Sequence, residues 1–334
     1  MANLPEDRTE PTPPFTNVGM DCFGPFTVKR GRSEIKQYGL IFTCFCSRGV
    51  HIEMLDDMST DSFINALRCF IALRGAVRQV RCDQGTNFVG ARNEFQAALK
   101  ELDNKKIETY LADRQCEFVF NVPQSSHAGG VWERQIRTIR SIVRATIDMC
   151  PGRLTDSVLR TFFYEAIAIV NSRPLATVNM NDPRADAPLT PNHLLTMKGK
   201  VPLPPPGQFP PVDMYRYTKK AWRRVQSLLE QFWSRWKREC LLSLQQRKKW
   251  TKPRRNLEVG DIVLVIDYET PRMQWPLAMV TLANPDDDVL VRQVHLRVGT
   301  KNLDKEGRPV GRLSEFRRPM QKLILLVENS LKED

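Results

Sequence analysis

The sequence predicts an α/β protein: a mixed sheet with helices packed on it, then a long basic helix and a small all-β module. Three observations carry this. Residues 15–200 alternate short β-branched or aromatic runs with amphipathic helical stretches, in the order three strands, helix, strand, helix, strand, helices. The Pro-rich run 201–213 (VPLPPPGQFPPVD) breaks all periodicity and reads as a linker. Beyond the basic stretch, from residue 257, only short strand patterns remain, over about 70 residues, the size of a small β-barrel. At roughly 100–200 residues per domain, 334 residues suit two domains.

The elements follow in order. Residues 1–14 are Pro-rich without apolar periodicity and read as a leader. Val18–Phe23, Tyr38–Phe45 and Val50–Leu55 form a predicted antiparallel meander, with turns at Gly24-Pro25 and Ser47-Arg48-Gly49. Ser59 or Thr60 caps a helix that runs through Arg74, with Phe63, Leu67, Phe70 and Ile71 on one stripe and Gly75 as its stop. Gln79–Cys82 is a short strand that delivers Asp83. A helix over 89–102 and a strand over 116–122 follow. The helix over 130–148 is the best defined, since Trp132, Ile136, Ile139, Val143 and Ile147 recur at spacings of three and four. A further helix covers 155–171. The basic helix is expected over 216–250, with Trp222, Val225, Leu229, Phe232, Trp236 and Cys240 as its apolar stripe. No internal repeat is present.

Composition excludes several classes of function. The longest apolar runs, such as Leu323–Val327, are far too short to cross a bilayer, so no membrane partner is expected. The acidic, Pro-rich N-terminus has no apolar core of a signal peptide. Eight Cys, several inside apolar runs, read as reduced core thiols; Cys44 and Cys46 in particular read as two buried thiols sharing a strand face rather than half a zinc site. The formal net charge is +12, and its distribution is uneven. Residues 1–200 hold 25 basic and 22 acidic side chains, residues 201–256 hold 14 and 3, and residues 257–334 hold 11 and 13. A surplus concentrated in one 56-residue stretch points to an anionic partner, nucleic acid first.

Three acids stand out by context. Asp21 interrupts the apolar run of the first strand, Asp83 ends a strand and is followed by QGTNF, and Glu133 opens the Trp132 helix after HAGG. A carboxylate in a core strand is costly unless its charge is compensated. Strand ends and a helix start brought together by one sheet are suited to an oxygen cage for Mg²⁺. The alternative is that hydrogen bonds satisfy Asp21 while Asp83 only caps a turn.

The segments around these acids resemble retroelement integrases, and within that group the BEL/Pao retrotransposon type. The matching pieces are PPFTNVGMDCFGP, IFTCFCSRGVHIEML, RCDQGTNFVGA, NVPQSSHAGGVWERQIRTIR, NSRPL and LTPNHLL, continued by GDIVLV, PLAMV and RRPMQKLILL, in consistent order over about residues 13–327. The resemblance implies an RNase H-like mixed five-stranded sheet with flanking helices (15–200), a linker and basic helix (201–256), an SH3-like barrel (257–327) and a short tail (328–334). It implies that Asp21, Asp83 and Glu133 form a catalytic triad holding two Mg²⁺ or Mn²⁺ ions. The expected reaction is DNA 3′-end processing followed by strand transfer, with Asp21 bridging the ions. The expected partner is double-stranded DNA, both element ends and target, bound by a homo-oligomer in the nucleus or, second, the cytoplasm.

Two departures from the family pattern bear on this. Glu133 follows Asp83 by 50 residues; the shorter retroviral spacing would end on Val119, which cannot ligate a metal. Residues 103–115 therefore read as an inserted polar loop. The upstream His/Cys zinc module of such integrases has no counterpart, since the four His are dispersed, so no zinc is expected. That leaves a non-catalytic DNA-binding derivative, or an RNase H-like nuclease acting on RNA–DNA hybrids, as alternative functions.

The remaining candidates are DNA contacts. Asn87 is suited to orienting DNA or equally to turn packing, and His127 to a phosphate contact or a helix-entry hydrogen bond. Arg137, Arg140 and Arg144 run along a face adjoining Glu133, either gripping DNA or simply solvated. On the basic segment, Lys219, Lys220, Arg223, Arg224, Arg235, Lys237 and Arg238, then the run 247–255 with Lys248 and Lys249, are expected to contact phosphates without regard to sequence. The last run also fits a nuclear localisation signal.

Overall fold

Strand β1 (Asn17–Arg30) is the spine of the first sheet in the computed structural model of the chain. The structure describes residues 10–82, 117–120, 132–150, 154–175, 189–198, 221–244, 255–267, 270, 272–286, 288–298 and 314–328. β1 pairs antiparallel with β2 (Ser33–Cys44), which pairs antiparallel with β3 (Val50–Leu55). On its other side β1 runs parallel to β4 (Gln79–Cys82), which runs parallel to β5 (Glu117–Phe120). The order β3-β2-β1-β4-β5 is a mixed five-stranded sheet, as expected. A two-residue β6 (Leu154–Thr155) adds to the far end of β1 at Val28–Leu154.

One expected turn is replaced. The chain does not reverse at Gly24-Pro25. β1 continues through a bulge between Phe23 and Phe26 and reverses at Gly31-Arg32, where Gly31 takes a φ of 62°. Pro25 lacks an N–H, and a bulge is a place in a ladder where none is required. Gly24 itself has a φ of 135°, open to glycine alone at low cost.

Helices cover the sheet. α1 (Thr60–Arg74) is capped by Ser59, whose hydroxyl accepts the Ser62 N–H at 3.2 Å, and stops at Gly75 with a φ of 91°. Its Phe70 lies flat on Phe42 of β2 at 3.8 Å and edge-on to Phe15 at 5.4 Å. α2 (Trp132–Asp148) buries Trp132, Ile136, Ile139, Ile142, Val143 and Thr146, close to the expected stripe, with Ile147 half-buried at its edge. α3 (Asp156–Val170) packs Phe163 against Phe23 and Phe26 of β1 at 5.6 and 5.5 Å. Just after it, the buried Asn171 side chain grips the Val50 backbone through both amide atoms, each at 2.8 Å, which anchors the start of β3.

The chain divides into two compact units, residues 1–171 with 207–232, and residues 172–206 with 233–334. The long helix α5 (Ala221–Leu244) contributes to both. In the first unit its Phe232 meets Phe162 edge-on at 5.9 Å, and Gln226 donates to Glu165. The buried set is Val225, Leu228, Leu229, Phe232, Trp233, Trp236, Cys240 and Leu241, whereas Trp222, expected in that stripe, is exposed. It lies at the second residue of the helix, before the packed portion begins.

In the second unit a short helix α4 (Pro191–Thr196) carries a Thr190–His193 capping box, which accounts for the LTPNHLL segment structurally. β7 (Ile262–Val265), β8 (Leu277–Ala283), β9 (Gln293–Val298), β10 (Ser314–Pro319) and β11 (Leu323–Val327) form an antiparallel sheet in the order β10-β9-β8-β7-β11. Val263, Val265, Ala278, Val280, Val294, Leu296 and Leu323 make its core. Within this unit the Trp233 ring stands edge-on to Trp275 at 5.1 Å.

Candidate active site

The site begins with a glycine. A Cβ on Gly19 would lie 2.5 Å from the Trp132 ring, so only the missing side chain lets the first turn of α2 rest directly on β1. Gly19 and Asp21 are two residues apart on an unbroken stretch of strand and therefore address the same face. Glu133 follows Trp132 in the turn seated there. The parallel register sets Met20 beside Cys82, the last residue of β4. The central strand of the sheet thus carries one carboxylate, and the helix turn seated on that strand carries another.

Asp21 remains 26% exposed and is paired with Arg140, itself 44% exposed. Arg140 lies seven residues after Glu133, two turns along the same stripe of α2. The neighbouring thiol reports the local field: burial, and then the Asp21 charge, push Cys22 up to about 12, with Arg140 acting in the opposite direction. Carboxylate oxygens are hard donors suited to Mg²⁺ or Mn²⁺. Asp21 already holds a cationic group, so a cation fits this position electrostatically. Among the described residues no three His, Cys, Asp or Glu side chains cluster as a metal site. Asp83, Asn87 and His127 lie outside the described residues, as do Lys219, Lys220, Lys248 and Lys249.

The expected DNA contacts divide sharply. Arg137, Arg140 and Arg144 are all exposed on α2, and Arg144 approaches Asp148 only loosely, at 3.9 Å. Arg223 is half-buried over the exposed Trp222 ring, 5.4 Å from its centroid. Arg224, by contrast, is 4% exposed and donates to Cys150 Sγ at 3.2 Å, so its side chain is not on the solvent face where a phosphate would reach it. Lys237 is 3% exposed and donates to the Asp267 and Thr270 carbonyls at 3.1 and 3.4 Å. Arg255, the end of the 247–255 basic run, forks onto the fully buried Asp261 at 2.8 and 3.2 Å. Arg224 and Lys237 are taken by the protein because their positions on α5 face its interior, and Arg255, in the irregular segment before β7, because Asp261 lies within its reach; a count of charges registers neither.

Two features escaped the reading of the sequence. Cys44 and Cys46 do not share a buried face. β2 ends at Cys44, alternation stops with it, and the following turn carries Cys46 to the surface with the two sulfurs 3.4 Å apart. The Cys46 thiol, the Ser47 hydroxyl and the Phe15 and Ser47 N–H groups hold Cys44 down at about 5 against burial; the same contact pushes Cys46 up. The second feature is a buried polar set in which Arg74 Nε donates to His51 Nδ1 at 3.3 Å and His51 Nε2 lies 2.6 Å from Glu53. The signal for it was the HIE triplet on β3, where His51 and Glu53 fall on one face.

A family of unknown function (DUF5641) matches residues 220–326. No curated protein matches the chain. Among solved structures, the chain is similar to one from the simian T-cell lymphotropic virus intasome in complex with PP2A regulatory subunit B56 gamma. The identity is 11% and the TM-score 0.36, over 94% of this chain and 80% of that one. It is also similar to the HTLV-2 integrase catalytic core domain in complex with magnesium. The trimeric form gives 15% identity and a TM-score of 0.31 over 51% of this chain and 91% of that one, and the dimeric form 15% and 0.30 over 48% and 88%.

Proposed function

We propose that the chain is a retroelement integrase of the BEL/Pao type that processes DNA 3′ ends and transfers them to target DNA. The observation that carries this reading is the Gly19–Trp132 approach, which seats the first turn of α2, and with it Glu133, on the strand that holds Asp21. Asp21, Asp83 and Glu133 are the residues that would hold two Mg²⁺ or Mn²⁺ ions in this proposal. Bound there, such ions supply Lewis acidity at a scissile phosphate and lower the pKa of an attacking hydroxyl. The protein's own part is to hold the carboxylates in place and to grip the DNA backbone through Arg137, Arg140 and Arg144. Asn87, His127, Lys219, Lys220, Arg223, Lys248 and Lys249 complete the proposed DNA surface. Residues 15–200 make the catalytic core, 201–256 the connector and 257–327 the SH3-like domain in this scheme. A homo-oligomer acting in the nucleus is the expected working form.

The test is a nicking and strand-transfer assay on element-end duplexes with Mg²⁺. Activity that disappears in Asp83→Asn while duplex binding persists supports the proposal. A wild-type chain that binds metal and duplex yet neither nicks nor joins DNA sinks the enzymatic reading and leaves a DNA-binding protein. Cleavage of an RNA–DNA hybrid in preference to duplex DNA would make it an RNase H-like nuclease instead.

A further inference from the structure

We infer that Arg140 is a placeholder cation for the metal site, and that its transfer from Asp21 to a DNA phosphate couples DNA engagement to metal loading. The inference rests on the metal-site reading above and adds to it a residue that opposes the metal until DNA arrives. Asp21 is a partly exposed carboxylate in a central strand, and its charge is compensated by a guanidinium from α2. That guanidinium is reversible by construction. It sits on a long side chain, is itself 44% exposed, and reaches down from the stripe that carries Glu133 two turns earlier.

Two charges then compete for one carboxylate. A guanidinium left about 5 Å from a divalent cation repels it enough, even at water-like screening, to weaken binding roughly tenfold. Metal therefore loads poorly while Arg140 stays on Asp21. A phosphate offers the guanidinium a bidentate anionic acceptor in place of the carboxylate. Arg137 and Arg144, exposed on the same helix, bring a DNA backbone to this surface. Once Arg140 swings to phosphate, its charge screens the DNA instead of opposing the ion, and Asp21 is released. The coupling is reciprocal: DNA raises metal affinity by the factor by which metal raises DNA affinity.

The experiment titrates Mn²⁺ into the full chain by electron paramagnetic resonance, with and without a short blunt duplex, subtracting ions bound by duplex alone. Wild type, Arg140→Gln, Arg140→Lys and Asp21→Asn are compared, with circular dichroism to verify folding. In the absence of DNA, Arg140→Gln should bind Mn²⁺ roughly tenfold tighter than wild type, and Arg140→Lys should stay near wild type. Adding duplex should tighten Mn²⁺ binding in wild type and change it little in Arg140→Gln. Unchanged or weaker Mn²⁺ binding in Arg140→Gln, with binding still lost in Asp21→Asn, overturns the placeholder role and leaves the metal site standing. Mn²⁺ binding absent from wild type and Arg140→Gln alike overturns the metal site itself, and the placeholder with it.

Discussion

Helices α2 and α5 are both basic, yet they dispose of their charge in opposite ways. Along α2, Arg137, Arg140 and Arg144 stand on the exposed side while Trp132, Ile136, Ile139 and Val143 fill the core. Along α5, Arg224 and Lys237 are buried with the apolar residues, and Trp222 is exposed among the cations. The segment with the larger charge surplus therefore offers fewer cations to solvent than its composition suggests. A helix that packs over only part of its circumference keeps its polar stripe free. One that packs on most sides must bring cations inside, where backbone carbonyls or sulfur accept them.

The burial of charge is most complete just beyond α5, where Asp261 takes the Arg255 fork and the Glu258 N–H. Asp261→Ala removes the acceptor of the Glu258 N–H and leaves Arg255 with Glu258 alone, 3.5 Å away, and should cost about 2–3 kcal/mol, read by chemical denaturation of the full chain. On the other side, Gly19→Ala drives a methyl into the Trp132 ring and should cost about 1–3 kcal/mol. It should also abolish any Mn²⁺ binding that needs both Asp21 and Glu133. A stable Gly19→Ala protein with unaltered metal binding would show that α2 does not depend on this approach.

Smaller effects sharpen the contrast in DNA binding. Arg224→Ala and Lys237→Ala should each cost about 2 kcal/mol of stability, through lost packing and buried hydrogen bonds. Arg224→Gln should leave the salt dependence of duplex binding unchanged. Replacing Lys219, Lys220 and Arg223 by Gln should flatten that dependence, and an unchanged slope would assign those charges to assembly or import. Arg137→Gln and Arg144→Gln should each reduce the slope of log affinity against log salt by about 1, measured by fluorescence anisotropy. Equal slopes for the Arg224 and Arg137 variants would erase the distinction between the two helices.

Much of the first unit was legible because its signals are local. Ser59 and Gly75 bound α1 as their chemistry requires, and the Trp132 stripe announced α2. The meander was legible apart from Gly24-Pro25, a turn pair by composition that the sheet absorbs as a bulge. The candidate site was legible as residue types in context, Asp21 in an apolar strand and Glu133 at a helix start. That Gly19 is the seat for Trp132, and that Arg140 is Asp21's partner 119 residues away, had no local signal.

Local sequence specified the first three strands and the helices α1, α2 and α3, which acids stand in costly places, and where the basic surplus lies; the helix expected over 89–102 lies outside the described residues. These are matters of periodicity, capping and composition, each written within a few neighbouring residues. Which cations are available is set by the tertiary fold. It turned Arg224 and Lys237 inward, tied Arg255 to Asp261, and gave Arg140 to Asp21. The reason is physical: a charge's partner is set by what the fold brings within hydrogen-bond reach, and that distance is not a function of separation along the chain.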